Sequence, residues 1–112
     1  MANWFDYNIY VRGNRKEVKR FVDEMTEESF KSYLDFRGFR FKWYHGSKCL
    51  YWVETHGFAN AEGLSALFRD FPQLRFTIYF EEYYLNVRGK IKARNGEVVY
   101  YHRGHLKEDC GD

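Results

Sequence analysis

Proline occurs once and cysteine twice in these 112 residues, no apolar run approaches the ~18 residues that span a bilayer, and neither sign of charge dominates. Each scarcity excludes something. With one proline and 45% hydrophobic residues, a disordered or linker-like chain is ruled out. Cys49 falls inside an alternating run and Cys110 in a polar tail, so they build neither a disulfide framework nor a zinc ribbon, and both are expected as free thiols. The start Met1-Ala-Asn-Trp-Phe-Asp lacks the basic and apolar regions of a signal peptide, which makes the cytoplasm the expected location and removes a membrane partner. A formal charge of +2 is too small to mark a nucleic-acid protein by sum, and it also counts against an acidic DNA mimic.

Catalytic groupings are scarce as well. No glycine-rich phosphate loop and no Ser-His or Cys-His pair is present. Glu81 and Glu82 are neighbours in sequence only, because adjacent strand residues point to opposite faces. The spacing His102-x-x-His105 followed by Cys110 matches no standard metal site, and His45 and His56 fall at turn or strand ends. The chain is therefore expected to be no enzyme, without a cofactor and without a metal.

What is plentiful is aromatic: 21% of the residues are Phe, Trp or Tyr, which calls for a bulky core or a surface that stacks on something. Phe5, Tyr7, Ile9 and Val11 alternate with Trp4, Asp6, Asn8 and Tyr10, the period of a first strand that ends near Gly13. Asn14 and Glu17 resemble a capping box, and Val18, Phe21, Val22 and Met25 give the helix an apolar stripe as far as about Glu28. Ser29 to Gly38 reads as a packed connection. Phe39, Phe41 and Trp43 alternate with Arg40, Lys42 and Tyr44, and after the turn at 45–48 a second run from Cys49 to Thr55 completes a β-hairpin. Asn60 caps a second helix with Leu64, Leu67, Phe68 and Phe71 on one side, which Pro72 helps to end. Strands follow over Leu74 to Glu81 and Tyr83 to Arg94. Asn95-Gly96 suits a type I′ turn, and a last strand runs from Glu97 to about Arg103.

The order βαββαβ with a C-terminal β-hairpin extension predicts a ferredoxin-like α+β sandwich, two helices on one face of an antiparallel sheet. One domain over residues 1–103 and a flexible tail over 104–112 are expected.

The opening Met1-Ala-Asn-Trp, the region Thr55 to Leu67, and Phe71-Pro-Gln-Leu-Arg-Phe-Thr-Ile-Tyr-Phe-Glu-Glu leading to Gly89 and Asn95-Gly96-Glu97 resemble the YubB-type ferredoxin-like family. Members of that family are small proteins of phages, plasmids and prophage regions. The likeness covers the first strand and most of the second half. It implies the same fold and a mobile-element origin, and it brings no catalytic set.

Three readings follow. Arg88, Lys90, Lys92 and Arg94 lie two residues apart and share one face of a strand, where they either track phosphates or simply solvate a sheet. Together with Tyr10, Arg40, Lys42, Trp52, Tyr79 and Tyr84 they form the candidate partner-binding set. The leading expectation is a non-enzymatic interaction protein that occludes a host protein or protein complex. By analogy with mobile elements, that partner is a defence nuclease, a CRISPR effector included. The alternative is a single-stranded nucleic-acid binder. Ile9-Tyr-Val-Arg-Gly-Asn resembles the first-strand motif of an RNA-recognition domain and Arg37-Gly-Phe-Arg-Phe-Lys-Trp-Tyr partly its second, but if Phe39 and Phe41 face the core only Tyr10 of that pair is left. A structural homo-oligomer, paired through the C-terminal hairpin, is the third reading.

Overall fold

A computed structural model of the chain describes residues 4–82, 84 and 86–105. Its centre is β1 (Trp4–Arg12), whose odd-numbered side chains Phe5, Tyr7, Ile9 and Val11 are all buried, as a period of two requires of a half-buried strand. On one side β1 pairs antiparallel with β3 (Lys48–His56), on the other with β4 (Arg75–Glu82). Adding β2 (Gly38–His45), β5 (Val87–Arg94) and β6 (Glu97–His105) gives a six-stranded antiparallel sheet in the order β2-β3-β1-β4-β5-β6. The architecture is α+β, with three helices among the described residues.

Helix α1 (Arg15–Glu24) begins where the spacing indicates, because the Asn14 side chain accepts from the Glu17 N–H at 2.8 Å. It stops at Glu24, short of Glu28. Thr26 starts a separate one-turn helix α2 (Glu27–Lys31) by accepting from the Ser29 N–H, so part of the expected connection is helical. Helix α3 (Ala61–Asp70) is capped by Asn60, which accepts from the Glu62 N–H at 2.9 Å. All three helices send side chains into one core, Val18 and Phe21 from α1, Phe30 from α2, and Leu64, Leu67 and Phe68 from α3.

That core takes up part of the aromatic excess, with seven phenylalanines and two tyrosines buried in it. Phe21 lies edge-on to Phe30, Tyr51, Phe71 and Phe76, with ring centroids 4.8 to 6.1 Å apart, the arrangement that aligns ring edges with ring faces. Burial also moves ionisation. The Tyr7 hydroxyl and the Cys49 thiol are each pushed up to about 12, chiefly by desolvation, and Tyr51 is raised for the same reason.

The strands differ from the sequence reading as well. Between Phe41 and Trp43 the β2–β3 register slips by one residue, a β-bulge at Lys42. The strand expected from Tyr83 starts only at Val87, since Tyr84 and Asn86 sit in a turn, Asn86 at φ 56° and the buried Glu82 carboxylate accepting from the Tyr84 N–H. Strand β6 continues to His105, so Gly104 and His105 belong to the sheet, and the rest of the expected tail, 106–112 with Cys110, lies outside the described residues. At the hairpin tip Asn95 and Gly96 both take positive φ, as a type I′ turn demands.

Candidate binding surface

The helices cover one face of the sheet and leave the other open. On β1 the open face carries Trp4, Asp6, Asn8, Tyr10 and Arg12, and the strand pairings place the remaining residues beside them. Across the middle run Arg40, Trp52, Asn8, Tyr79, Lys90 and His102, one from each strand. The next row is Trp43, Leu50, Tyr10, Thr77, Lys92 and Tyr100.

The two ends of this face have opposite charge. In an antiparallel order the end of β1 meets the starts of β3 and β4, so Arg12 stands opposite Lys48 on one side and Arg75 on the other. Like charges directly opposite are unfavourable. Six residues away along β1, a span of roughly 20 Å at the rise of a strand, Asp6 stands between Glu54 and Glu81. The acidic end is answered from within the protein: Arg37 donates to Glu54 at 2.7 Å while its guanidinium lies 3.5 Å from the centre of the Trp4 ring, Trp52 Nε1 donates to Asp6 at 3.2 Å, and Arg88 is paired in register with Glu81. The basic end has no such answer, because none of the ion pairs among the described residues involves Arg12, Lys48, Arg75, Lys90 or Lys92.

Between the rows lies a concavity of about 480 Å³ lined by Tyr10, Arg12, Thr77, Tyr79, Lys90 and Lys92. The Tyr10 ring is edge-on to both Tyr79, at 5.8 Å, and Trp43, at 6.3 Å, while Lys90 Nζ sits 5.3 Å from the centre of the Tyr79 ring. The Tyr79 side is 42% exposed. The site thus offers positive charge, hydroxyl groups and ring surface at the rim of a shallow basin. Among the described residues, no group of three His, Cys, Asp or Glu is placed to hold a metal ion.

Of the residues singled out from the sequence, Tyr10, Arg40, Trp52, Tyr79, Arg88, Lys90 and Lys92 share the open face, and Arg94 continues the β5 alternation to the hairpin tip. Lys42 is the bulge residue on β2. Tyr84 does not join them: it is 81% exposed, in the β4–β5 turn. The bulge also corrects the alternation of the first hairpin. Phe39 and Phe41 pair with Val53 and Tyr51 on the helix side, but past Lys42 it is Trp43, opposite Leu50, that takes the open face, and Tyr44, opposite Cys49, that takes the helix side. Arg12, Lys48, Arg75, Trp43 and Thr77 escaped the sequence reading. A signal for the first three does exist: each is a cation at a strand terminus, and the βαββαβ order brings those termini together.

A second cavity, about 240 Å³ and mostly apolar, lies on the helix side between α3 and the β5–β6 hairpin, with Leu64, Phe68, Ile91, Val98 and Tyr101 around Tyr7 and Phe80. Tyr7 is fixed there by accepting from the Ala59 N–H at 2.8 Å. No helix among the described residues is long and apolar enough to cross a membrane. No family model, curated protein or solved structure matches this chain.

Proposed function

We propose that this is a non-enzymatic binding protein whose open sheet face holds single-stranded nucleic acid across its basic end. The observation that carries the reading is the unanswered row Lys48–Arg12–Arg75, continued by Lys90 and Lys92 around the Tyr10 and Tyr79 rings. Cations placed side by side at a cost to the free protein are relieved by a partner that supplies phosphates, and rings between them give bases a surface to stack on. The acidic end limits the footprint to the Tyr10 half of the face. The βαβ halves and the order β2-β3-β1-β4 support a ferredoxin-like core, with β5 and β6 as its extension.

Titration of a labelled single-stranded oligonucleotide at two salt concentrations tests this. If about four phosphates are neutralised, affinity falls roughly fiftyfold between ~50 and ~200 mM salt, and Lys90→Glu/Lys92→Glu flattens that dependence. Absent or salt-independent binding would sink the proposal.

The ring geometry favours one other occupant. Tyr10 meets both of its neighbours edge-on, and the face pairs aromatics with arginines, the composition of a protein–protein interface core. An acidic surface on a host protein, such as a defence nuclease, fits the same basic end and the resemblance to mobile-element proteins. Co-purification of such a protein, lost in the same double variant and accompanied by no nucleic-acid binding, selects this second reading.

A further inference from the structure

Tyr7 uses only part of its hydrogen-bonding capacity. Its oxygen accepts from the Ala59 N–H at 2.8 Å, but no hydrogen bond among the described residues takes its proton, although Tyr7 is only 2% exposed. A buried O–H without an acceptor is costly. With its ionisation pushed up to about 12, the phenol keeps that proton throughout the ordinary pH range. Tyr7 and Ala59 both belong to the wall of the cavity under α3. The rest of that wall is shaped for a ring. Phe80 stacks on Tyr7 at 5.3 Å and on Tyr101 at 6.3 Å, and meets Phe58 edge-on at 6.0 Å. Its position is fixed by Gly89, its partner on β5, where a Cβ would lie 2.2 Å from the Phe80 ring, so the site is formed in advance. Phe58, Val98 and Tyr101 are 45% to 56% exposed, which opens the apolar wall to solvent and gives a molecule a way in.

We propose that this cavity binds a small, uncharged aromatic molecule whose oxygen or nitrogen acceptor takes the Tyr7 proton. Size sets the first limit. A dry cavity of ~150 Å³ holds benzene, so a volume of about 240 Å³ suits a ring with a short substituent. Water fills such a space poorly, since roughly eight molecules at ~30 Å³ each would stand mostly against carbon. Charge sets the second limit. Among the described residues the wall contains no Asp, Glu, Lys, Arg or His, and Arg103, 5.0 Å from the centre of the Phe58 ring, is not part of it. An ionised ligand would be buried there without a counter-charge. The rings around the cavity favour a flat aromatic body over an alkyl chain, through edge-to-face and offset contacts. The site lies on the helix side of the sheet, away from the basic face, and stands independently of the nucleic-acid reading.

Methyl NMR spectra of the full chain, recorded during titration with acetophenone, test the proposal. The Leu64, Ile91 and Val98 methyl signals are expected to shift and to saturate with a Kd below about 1 mM. A parallel titration with α-methylstyrene, which has the same shape with a methylene in place of the ketone oxygen, isolates the hydrogen bond. In Tyr7→Phe the affinity for acetophenone relative to α-methylstyrene is expected to drop about tenfold. Val98→Trp, which fills the cavity from its exposed side, is expected to abolish binding of both probes, and it decides the location should Tyr7→Phe fail to fold. No saturable shift with acetophenone, a relative affinity unchanged by Tyr7→Phe, binding that survives Val98→Trp, or benzoate binding more tightly than acetophenone overturns the proposal.

Discussion

At Gly63 a single hydrogen atom separates helix α3 from the backbone that leads out of α2. A Cβ there would lie 1.9 Å from the Tyr33 carbonyl oxygen and 3.0 Å from its carbon, and both obstacles are main chain. Gly63→Ala must push the helix away, and a cost of about 1–3 kcal/mol or more is expected, read as a lower urea midpoint at unchanged slope. Cys49 gives a chemical test at the same scale. Its thiol is fully buried and pushed up to about 12 by desolvation, so little thiolate exists near neutrality. Alkylation of the native protein at about pH 8 is expected to leave Cys49 unmodified, and denaturant to expose it, as peptide mass will show. The sequence made Cys49 readable as a strand residue with a free thiol, and the row Arg88 to Arg94 readable from its period. Gly63 was not readable, because nothing in a lone helical glycine names the carbonyl it must accommodate.

At the scale of elements, local chemistry decided most outcomes. Asn14 and Asn60 cap helices, and Asn95-Gly96 turns a hairpin, each through side-chain or backbone requirements confined to a few residues. The first hairpin shows where that locality ends. Phe39, Phe41 and Trp43 look like one face, yet the extra residue at Lys42 moves Trp43 to the other, and a bulge is set by the fit of two strands. Because Phe41 pairs with Tyr51 and Trp43 with the next residue, Leu50, removal of Lys42 leaves an uninterrupted ladder. Deletion of Lys42 is therefore expected to preserve the fold, with stability within about 1 kcal/mol of the wild type and Trp43 still beside Tyr10. A large loss of stability, or a shift in tryptophan emission, would show that the bulge is needed by the rest of the sheet. The cationic row Lys48–Arg12–Arg75 was hidden for a related reason, since it exists only once β1 has its two neighbours.

For the whole molecule the consequence of an aromatic, dry core is a dependence on alkaline pH. Tyr7 and Cys49 keep their protons to about 12 in the folded state, and Tyr51 is raised in the same direction. In the unfolded chain the thiol releases its proton near pH ~8.5 and the phenols near ~10. Above those values the unfolded state binds fewer protons than the native one, so stability is complete below about pH 8.5 and declines as pH rises towards about 12. Urea midpoints are expected to be level from about pH 7 to about pH 8 and to fall steadily above about pH 9, with a shallower fall in Cys49→Ala. A midpoint that stays level to about pH 11 would contradict the burial of these groups.

The position of β1 also orders events in time. Among the six strands it is made first, yet its partners end only at His56 and Glu82, so its first neighbour is complete after half of these residues and its second much later. During synthesis Phe5, Tyr7, Ile9 and Val11 must wait exposed, while the β5–β6 hairpin, closed by two residues, zips within its own neighbourhood. The nascent chain is thus most prone to aggregate at β1, and the strand at the centre of the finished sheet is the one of the six that waits longest for its partners.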